Sequence, residues 1–251
     1  MSAEELQKIT VSIVSHGHGE MVNDLTNQLL LLPEVGQIIL TRNIPESTSV
    51  VQDARVHYVQ NMNPKGFGAN HNAAFELCHL PFYCVLNPDI LLQGNPFPQL
   101  IGCLTDNSVD LCAPRVVAPN GQLEDSVRHF PTLRSLTQKA LGGDDGRYQF
   151  ELNQQAFAVD WVAGMFLLFS ADGFRAVSGF DEQYFLYYED VDICARFWRA
   201  GKPVFVCPSA QVIHAAQRTS HKSFRFMKWH ATSMLRYFAR YWWRLPRRLV
   251  N

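Results

Sequence analysis

Ile9-Thr-Val-Ser-Ile-Val-Ser-His-Gly-His-Gly19 reads as a buried strand over residues 9–14 that runs into a polar turn with two glycines. Five of its first six residues are β-branched, a composition that suits a pleated sheet better than a helix. After the turn, apolar residues recur at helical spacing over 20–32, until Pro33 and Gly36 close the helix. Residues 37–41 then read as a second strand. Beyond a loop through Ile44-Pro-Glu-Ser47, residues 56–60 read as a third. Strand, helix, strand in succession predicts a parallel sheet with crossover helices, since parallel neighbours cannot be joined by a tight turn. The expected class is α/β. In such sheets ligands gather at the carboxyl ends of the strands.

Those ends carry polar residues. After the third strand comes Asn61-Met-Asn-Pro-Lys-Gly-Phe-Gly-Ala-Asn-His-Asn72, with a helix expected over about 69–78. Glycines, a lysine and amides at a helix start suit close approach to a phosphate or a base, although the same residues also make an ordinary turn. The loop has neither a Walker sequence nor the dinucleotide spacing. The next strand, 82–87, stops at Pro88-Asp89. An acid just past a buried strand can hold a metal-bound diphosphate; Asn-Pro-Asp can also simply turn the chain. A helix over 96–105 and a strand over 109–114 complete this half.

Residues 116–155 are irregular, with Pro119-Asn-Gly121 as a hairpin signal, a partly helical insertion over 126–141 and Gly142-Gly-Asp-Asp-Gly146 as a loop. Periodicity returns over 159–169, a strand interrupted by Ala163-Gly164, and then over a short helix at 171–177. Gly179-Phe-Asp-Glu-Gln-Tyr-Phe-Leu-Tyr-Tyr-Glu-Asp-Val-Asp192 follows, four aromatics leading into three carboxylates at Glu189, Asp190 and Asp192. Aromatics exclude water, and carboxylates beside them can be tuned for proton transfer. Acids in a first turn also favour a helix start through its dipole. That helix ends at Gly201, with Pro203 beyond. A strand over 204–207 and an extended segment over 212–214 come next.

With 251 residues, 47% hydrophobic and 18% charged, the chain suffices for one large α/β domain or two small ones. Its apolar runs are far shorter than a membrane span, and Met1-Ser-Ala-Glu-Glu-Leu6 is not the pattern of a signal peptide. Six scattered cysteines without a CxxC pair argue against a zinc or disulfide framework and for a reducing, cytoplasmic compartment. The net charge of −1 conceals a division. All 23 acids lie at or before Asp192 with 10 of the 22 Lys and Arg, whereas the last 59 residues hold 12 basic residues and no acid. Residues 220–245 are helical by period, with Phe224, Met227, Ala231, Leu235, Phe238, Trp242 and Leu245 on one face. Lys228, Arg236, Arg240 and Arg244 fall on another. Such a helix suits an anionic membrane interface, or docks on the core with a solvated basic face. Nucleic acid is not an expected partner, because the aromatics form no separate stacking platform.

Taken in order, a set of motifs resembles the family 2 glycosyltransferases of GT-A fold, over residues 9–243. They are Val14-Ser-His-Gly-His18, Gly66-Phe-Gly68 with Asn70 and Asn72, Leu86-Asn-Pro-Asp-Ile90 and Val159-Asp-Trp-Val-Ala-Gly164. Gly179-Phe-Asp181, Tyr184-Phe185, Tyr188-Glu-Asp190 and Ile213-His214 complete it. The chain looks most like the bacterial O-antigen rhamnosyltransferases, and Trp229-His230 and Arg236-Tyr-Phe-Ala-Arg240 of the tail are similar too.

The resemblance implies a Rossmann-like mixed, mostly parallel sheet flanked by helices over residues 1–219. Its nucleotide-sugar half would be 9–115 and its acceptor half 116–219, followed by a basic amphipathic membrane-associating tail over 220–251. It implies inverting transfer of L-rhamnose from dTDP-L-rhamnose onto a polyprenyl-diphosphate-linked GlcNAc, at the inner face of the bacterial cell membrane. Asp190 is implied as the catalytic base with Glu189 beside it, and Asp89 and His214 as ligands of a divalent metal, Mg²⁺ or Mn²⁺. Ser15, His16, Asn63, Gly66, Asn70 and Asn87 are implied at the nucleotide sugar, and Trp161, Gly164 and Tyr188 at the acceptor. Two positions depart from the pattern. Asn87 is neutral where relatives carry the first acid of Asp-x-Asp, and Leu40-Thr-Arg-Asn43 puts Arg42 where many carry an acid. Two other readings are a family 2 enzyme that extends a polysaccharide from a UDP-hexose, and a non-catalytic module that binds sugar nucleotides. A nucleotidyltransferase would need a Gly/Arg/Lys-rich loop after the first strand, which is missing.

Overall fold

The computed structural model describes residues 7–47, 49–143, 146–215 and 224–241. Strand β1 (Ile9–Ser15) leads through helix α1 (Glu20–Leu30) to β2 (Val35–Arg42) and β3 (Val56–Gln60). Helix α2 (Phe67–Phe75), strands β4 (Phe82–Leu86) and β5 (Ile90–Leu91), helix α3 (Phe97–Asp106) and strand β6 (Leu111–Val117) follow. The second half begins with β7 (Val127–Arg128), α4 (Leu133–Ala140), β8 (Phe157–Val159), β9 (Trp161–Val162) and β10 (Phe166–Ser170). It ends with α5 (Ala171–Ala176), α6 (Glu189–Arg199), β11 (Val204–His214) and α7 (Phe224–Tyr241).

The main sheet has the order β3-β2-β1-β4-β10-β6-β11-β5, with β8 also on β11. β1, β2, β3 and β4 run parallel, as do β6 and β11, so the expected mostly parallel sheet is present. Both faces are covered by apolar clusters, which is why β1 and β4 read as nearly unbroken hydrophobic runs. β10 lies antiparallel between β4 and β6. That reversal carries the start of β10 to the carboxyl edge, where Asn87 N donates to Met165 O at 2.9 Å.

The strand expected over 159–169 is in fact three. Asp160 turns aside to accept from Phe130 N at 2.9 Å and from the Tyr148 hydroxyl at 3.2 Å. β9 thereby leaves the main sheet and pairs with β7. Conversely, 204–207 and 212–214 belong to one strand. β11 pairs with β6 on both sides of a register shift between Cys207 and Gln211, which contains Pro208, a residue with no N–H to give the ladder.

The tail helix is docked, and not by the stripe of apolar residues. Ser233, Tyr237 and Tyr241 are buried, whereas Phe224, Met227 and Leu235 are 80%, 63% and 66% exposed. The rings of Tyr237 and Tyr241 join the main apolar cluster, with Met234 and Phe238 packed against it. Hydroxyls of the same face meet acceptors in the loop before α6 and in α6 itself: Ser233 Oγ donates to Leu186 O at 2.9 Å, and the Tyr241 hydroxyl to Asp192 Oδ1 at 2.7 Å. Arg240 bridges Asp181 at 2.6 Å and Asp192 at 3.2 Å, so part of the basic face is turned inward. Trp242, Arg244 and Leu245 lie outside the described residues.

Candidate active site

Polar side chains converge at the carboxyl ends of β1 to β4. Asn43 Oδ1 accepts from Asn61 Nδ2 and from Lys65 N, both at 2.8 Å, and Asn43 Nδ2 donates to Lys65 O at 2.9 Å. Asn61 also donates to Asn70 Oδ1 at 2.6 Å, and Asn70 Nδ2 to Gly66 O at 2.9 Å. Asn70 is therefore spent on shaping the 61–66 loop. His16 Nδ1 lies 3.3 Å from Asn43 Nδ2, and Ser15 Oγ accepts from His18 N at 3.3 Å. Asn63 is exposed and stands apart from this network.

Gly66 and Gly68 make room for a neighbouring loop. A Cβ on Gly66 would lie 2.7 Å from Phe185 O, and one on Gly68 2.6 Å from Phe180 Cβ. The two glycines let the 179–188 loop lie against the start of α2, where Phe67 N donates to Phe185 O at 2.9 Å. Asn72 closes the same seam, accepting from Phe180 N at 2.8 Å and donating to Phe180 O at 2.9 Å.

Asp89 and His214, 125 residues apart in the sequence, meet at 3.2 Å between Oδ2 and Nε2 because β5 pairs with the end of β11. Burial works against the Asp89 charge, but the hydrogen bond and charge of His214 outweigh it and hold the carboxyl below its usual range. The imidazole, opposed by burial, is raised by the same contact. Asp89 Oδ1 and His214 Nδ1 are buried with no hydrogen-bond partner. One carboxylate and one imidazole with unused lone pairs fit a divalent cation that completes its shell with substrate and water. Among the described residues no group of three or more His, Cys, Asp or Glu could hold a metal. Asn87, two residues before Asp89, is partly buried and held by Met165.

The third assembly surrounds Asp190. Tyr187 and Tyr188 both have positive φ, 68° and 66°, a conformation that costs side chains energy and is rarely found in succession. Ring contacts hold it: His230 of α7 lies 5.3 Å from Tyr187 and 5.5 Å from Tyr188, and Tyr237 lies 5.3 Å from Tyr188. The kink starts α6 with Glu189 and Asp190 on the rim of a cavity of about 270 Å³. Asp190 accepts from Gly164 N at 3.1 Å and from Val191 N at 2.8 Å. Burial raises its carboxyl above the usual range, with those N–H groups pulling the other way. Burial, with the charge of Asp190, lifts Glu189 well above its usual range, and Glu189 Oε2 has no partner. A partly buried carboxylate of raised basicity beside a cavity can take a proton from a hydroxyl group. Trp161, its indole N–H fixed on His129 O at 3.0 Å, and Tyr188 line the same space. Asp192, by contrast, points into the core, on Arg196 Nε and the Tyr241 hydroxyl, both at 2.7 Å.

The structure thus brings Asp190, Glu189, Trp161, Gly164 and Tyr188 together, and Asp89 with His214 and Asn87. Gly164 and Met165 join the two groups, one bonded to Asp190 and the next to Asn87. Sequence reasoning missed Asn43 and Asn61, and also Arg128, His129 and His230, which line the cavity. Two of these had a signal: Asn43 and Asn61 each follow a strand directly.

No family model matches the sequence. Across 92% of this chain and 93% of that one, it is 30% identical over 249 residues to the Rhamnosyltransferase WbbL of Escherichia coli (strain K12). The chain belongs to the rhamnosyltransferases. A second relative is the N-acetylglucosaminyl-diphospho-decaprenol L-rhamnosyltransferase of Mycobacterium tuberculosis (strain ATCC 25618 / H37Rv), 34% identical over 177 residues. That match covers 65% of this rhamnosyltransferase and 58% of that protein. The crystal structure of GalNAc-T7 with UDP, GalNAc and Mn2+ superposes with a TM-score of 0.69 at 13% identity, over 88% of this chain and 45% of that one. At such identity the likeness shows the fold alone, which is that of the GT-A glycosyltransferases. The fold class and the enzyme class expected from the motifs are both borne out.

Proposed function

We propose that this rhamnosyltransferase moves L-rhamnose from dTDP-L-rhamnose to a polyprenyl-diphosphate-linked GlcNAc, with inversion and with Asp190 as general base. The observation that carries the reading is the Gly164–Met165 link between Asp190 and the Asn87-Pro-Asp89 corner. It supports reading Asp190 as a proton acceptor on one side of the start of β10 and Asp89 as part of a diphosphate-compatible corner on the other. The names of the two relatives supply the sugar, and the second supplies the acceptor.

In this mechanism Asp190 takes the proton of the acceptor hydroxyl as its oxygen bonds to the anomeric carbon. The bond from that carbon to the diphosphate oxygen breaks, and its electron pair leaves with the nucleoside diphosphate. Asp89 and His214 would hold a divalent cation, Mg²⁺ or Mn²⁺, whose charge offsets that of the leaving group. Burial and the charge of Asp190 raise the Glu189 carboxyl, which favours its protonated form and so limits the negative charge beside Asp190. Ser15, His16, Asn63, Gly66 and Asn87 surround the nucleotide sugar, and Asn43, Asn61 and Asn70 hold their loops in shape. Trp161, Gly164 and Tyr188 form the acceptor wall.

No described helix is long and apolar enough to cross a membrane. The exposed Phe224, Met227 and Leu235, flanked by Arg225 and Lys228, suit a peripheral seat on the anionic inner face of a bacterial membrane. The decisive experiment assays a panel of nucleotide sugars against a GlcNAc-diphosphoryl-lipid acceptor. Preference for a UDP-hexose would overturn the donor, and near-normal transfer by Asp190→Asn would overturn the base.

A further inference from the structure

The cavity beside Asp190 has basic lining that proton transfer does not use. Arg128 comes from β7, His129 follows it, and His230 reaches in from α7. Arg128 is set firmly. Its side chain is 17% exposed, its Nη1 lies 3.1 Å from Asp125 Oδ2, and Arg147 Nε lies 3.4 Å from the other oxygen of the same carboxylate. A bridge between Arg128 and Arg147 aligns the two backbones. A guanidinium carries five N–H donors in a planar fork, so it can serve a carboxylate and a phosphate at once. His129 is steadied by Asp160 at 3.2 Å and by the Tyr148 ring at 4.2 Å, and His230 by Tyr187 and Tyr188. These are positioned cations and donors in a partly closed space, not mobile surface charges.

Their place along the molecule matters as much as their chemistry. Asp190 and the basic residues line one cavity, and His230 joins it to α7, whose exposed Met227 stands one turn before it on the helix. A lipid-linked sugar has three parts of matching chemistry: hydroxyl, diphosphate, hydrocarbon. We propose that Arg128, with His129 and His230, binds the diphosphate of the lipid-linked acceptor and so sets its sugar hydroxyl at Asp190. The inference rests on the acceptor class proposed above and assigns this diphosphate its site. The diphosphate of the donor belongs at the Asp89–His214 corner, so two diphosphates occupy two separate places.

The test compares two acceptors that differ only in charge, a GlcNAc-diphosphoryl-alkyl and a neutral GlcNAc alkyl glycoside, with donor kinetics measured alongside. Arg128→Gln should lower the ratio of kcat/KM for the charged over the neutral acceptor about tenfold or more, the size of one lost charge-assisted contact. Arg128→Lys should recover part of that ratio. His230→Gln, on a separate element, should lower it less, and guards against a folding defect at Asp125. In the unmodified enzyme an alkyl diphosphate without sugar should compete with the acceptor and not with the donor. An unchanged ratio in both variants, or competition by the alkyl diphosphate against the donor alone, overturns the proposal. If neither acceptor is glycosylated, the acceptor class itself fails, while calorimetry of alkyl diphosphate binding to the parent and to Arg128→Gln still reads the site: equal affinities overturn it.

Discussion

Replacing Glu189 by glutamine should make the protein more stable at neutral pH. Glu189 is buried, its Oε2 has no partner, and burial beside Asp190 lifts its carboxyl well above its ordinary value of 4.5. The unfolded chain releases this proton near pH 4.5 and the folded chain later, so folding binds a proton between those limits. Each pH unit in that window removes about 1.4 kcal/mol of stability, and the loss stops at the folded pKa. By pH 7 the accumulated cost reaches at most about 3 kcal/mol. Glutamine has the same shape and no charge to release, and it leaves one polar group unpartnered as the neutral acid does. Denaturant unfolding of parent and Glu189→Gln should therefore agree near pH 4.5 and diverge as pH rises, the variant gaining up to about 3 kcal/mol by pH 7. Parallel stability curves from pH 5 to 8, or a loss at pH 7, would show that Glu189 is ionised in the fold and that the reasoning is wrong.

The activity of the parent should fall on acidification with an apparent pKa above the ordinary aspartate value of 3.8, because Asp190, as the proposed base, acts in its ionised form and burial raises it; a pH profile of kcat/KM reads this directly. Gly66→Ala should cost about 1–3 kcal/mol, since the new Cβ meets backbone atoms of Phe185 that cannot rotate away; thermal unfolding checks it. Tyr241→Phe removes a charge-assisted hydrogen bond to buried Asp192, about 1.5–3 kcal/mol, and amide exchange should show α7 loosening first. Met227→Glu combined with Leu235→Glu should weaken flotation with anionic liposomes without lowering the melting temperature, because both side chains are exposed.

What could be read from the sequence was local. β1 declares itself by a β-branched run and α6 by its period, and the Asn87-Pro-Asp89 and Glu189-Asp190 motifs sit at element ends. Distant pairings were not legible from pattern. Nothing in residues 159–169 tells that Asp160 turns the chain out of the sheet, nor that β10 then runs backwards between β4 and β6. The meeting of Asp89 with His214 came from the resemblance, because it depends on the short β5 finding the far end of β11. The docking face of α7 was hidden for another reason. Period counting weights Phe, Met and Leu, whereas the face that docks does so through the rings of Tyr237 and Tyr241 and the hydroxyls of Ser233 and Tyr241, whose partners lie about 50 residues away.

Because α7 gives His230 to the cavity and a hydroxyl to Asp192, only two residues from Asp190, a chain cut before Phe224 would lose a wall of the cavity beside Asp190. It would also leave a buried carboxylate short of a donor. Deleting the helix therefore cannot tell anchoring from turnover, since both would fall together. Point changes on the outward stripe alone keep the two questions apart, so the proposed membrane seat should be tested by repainting that stripe with charge rather than by shortening the chain.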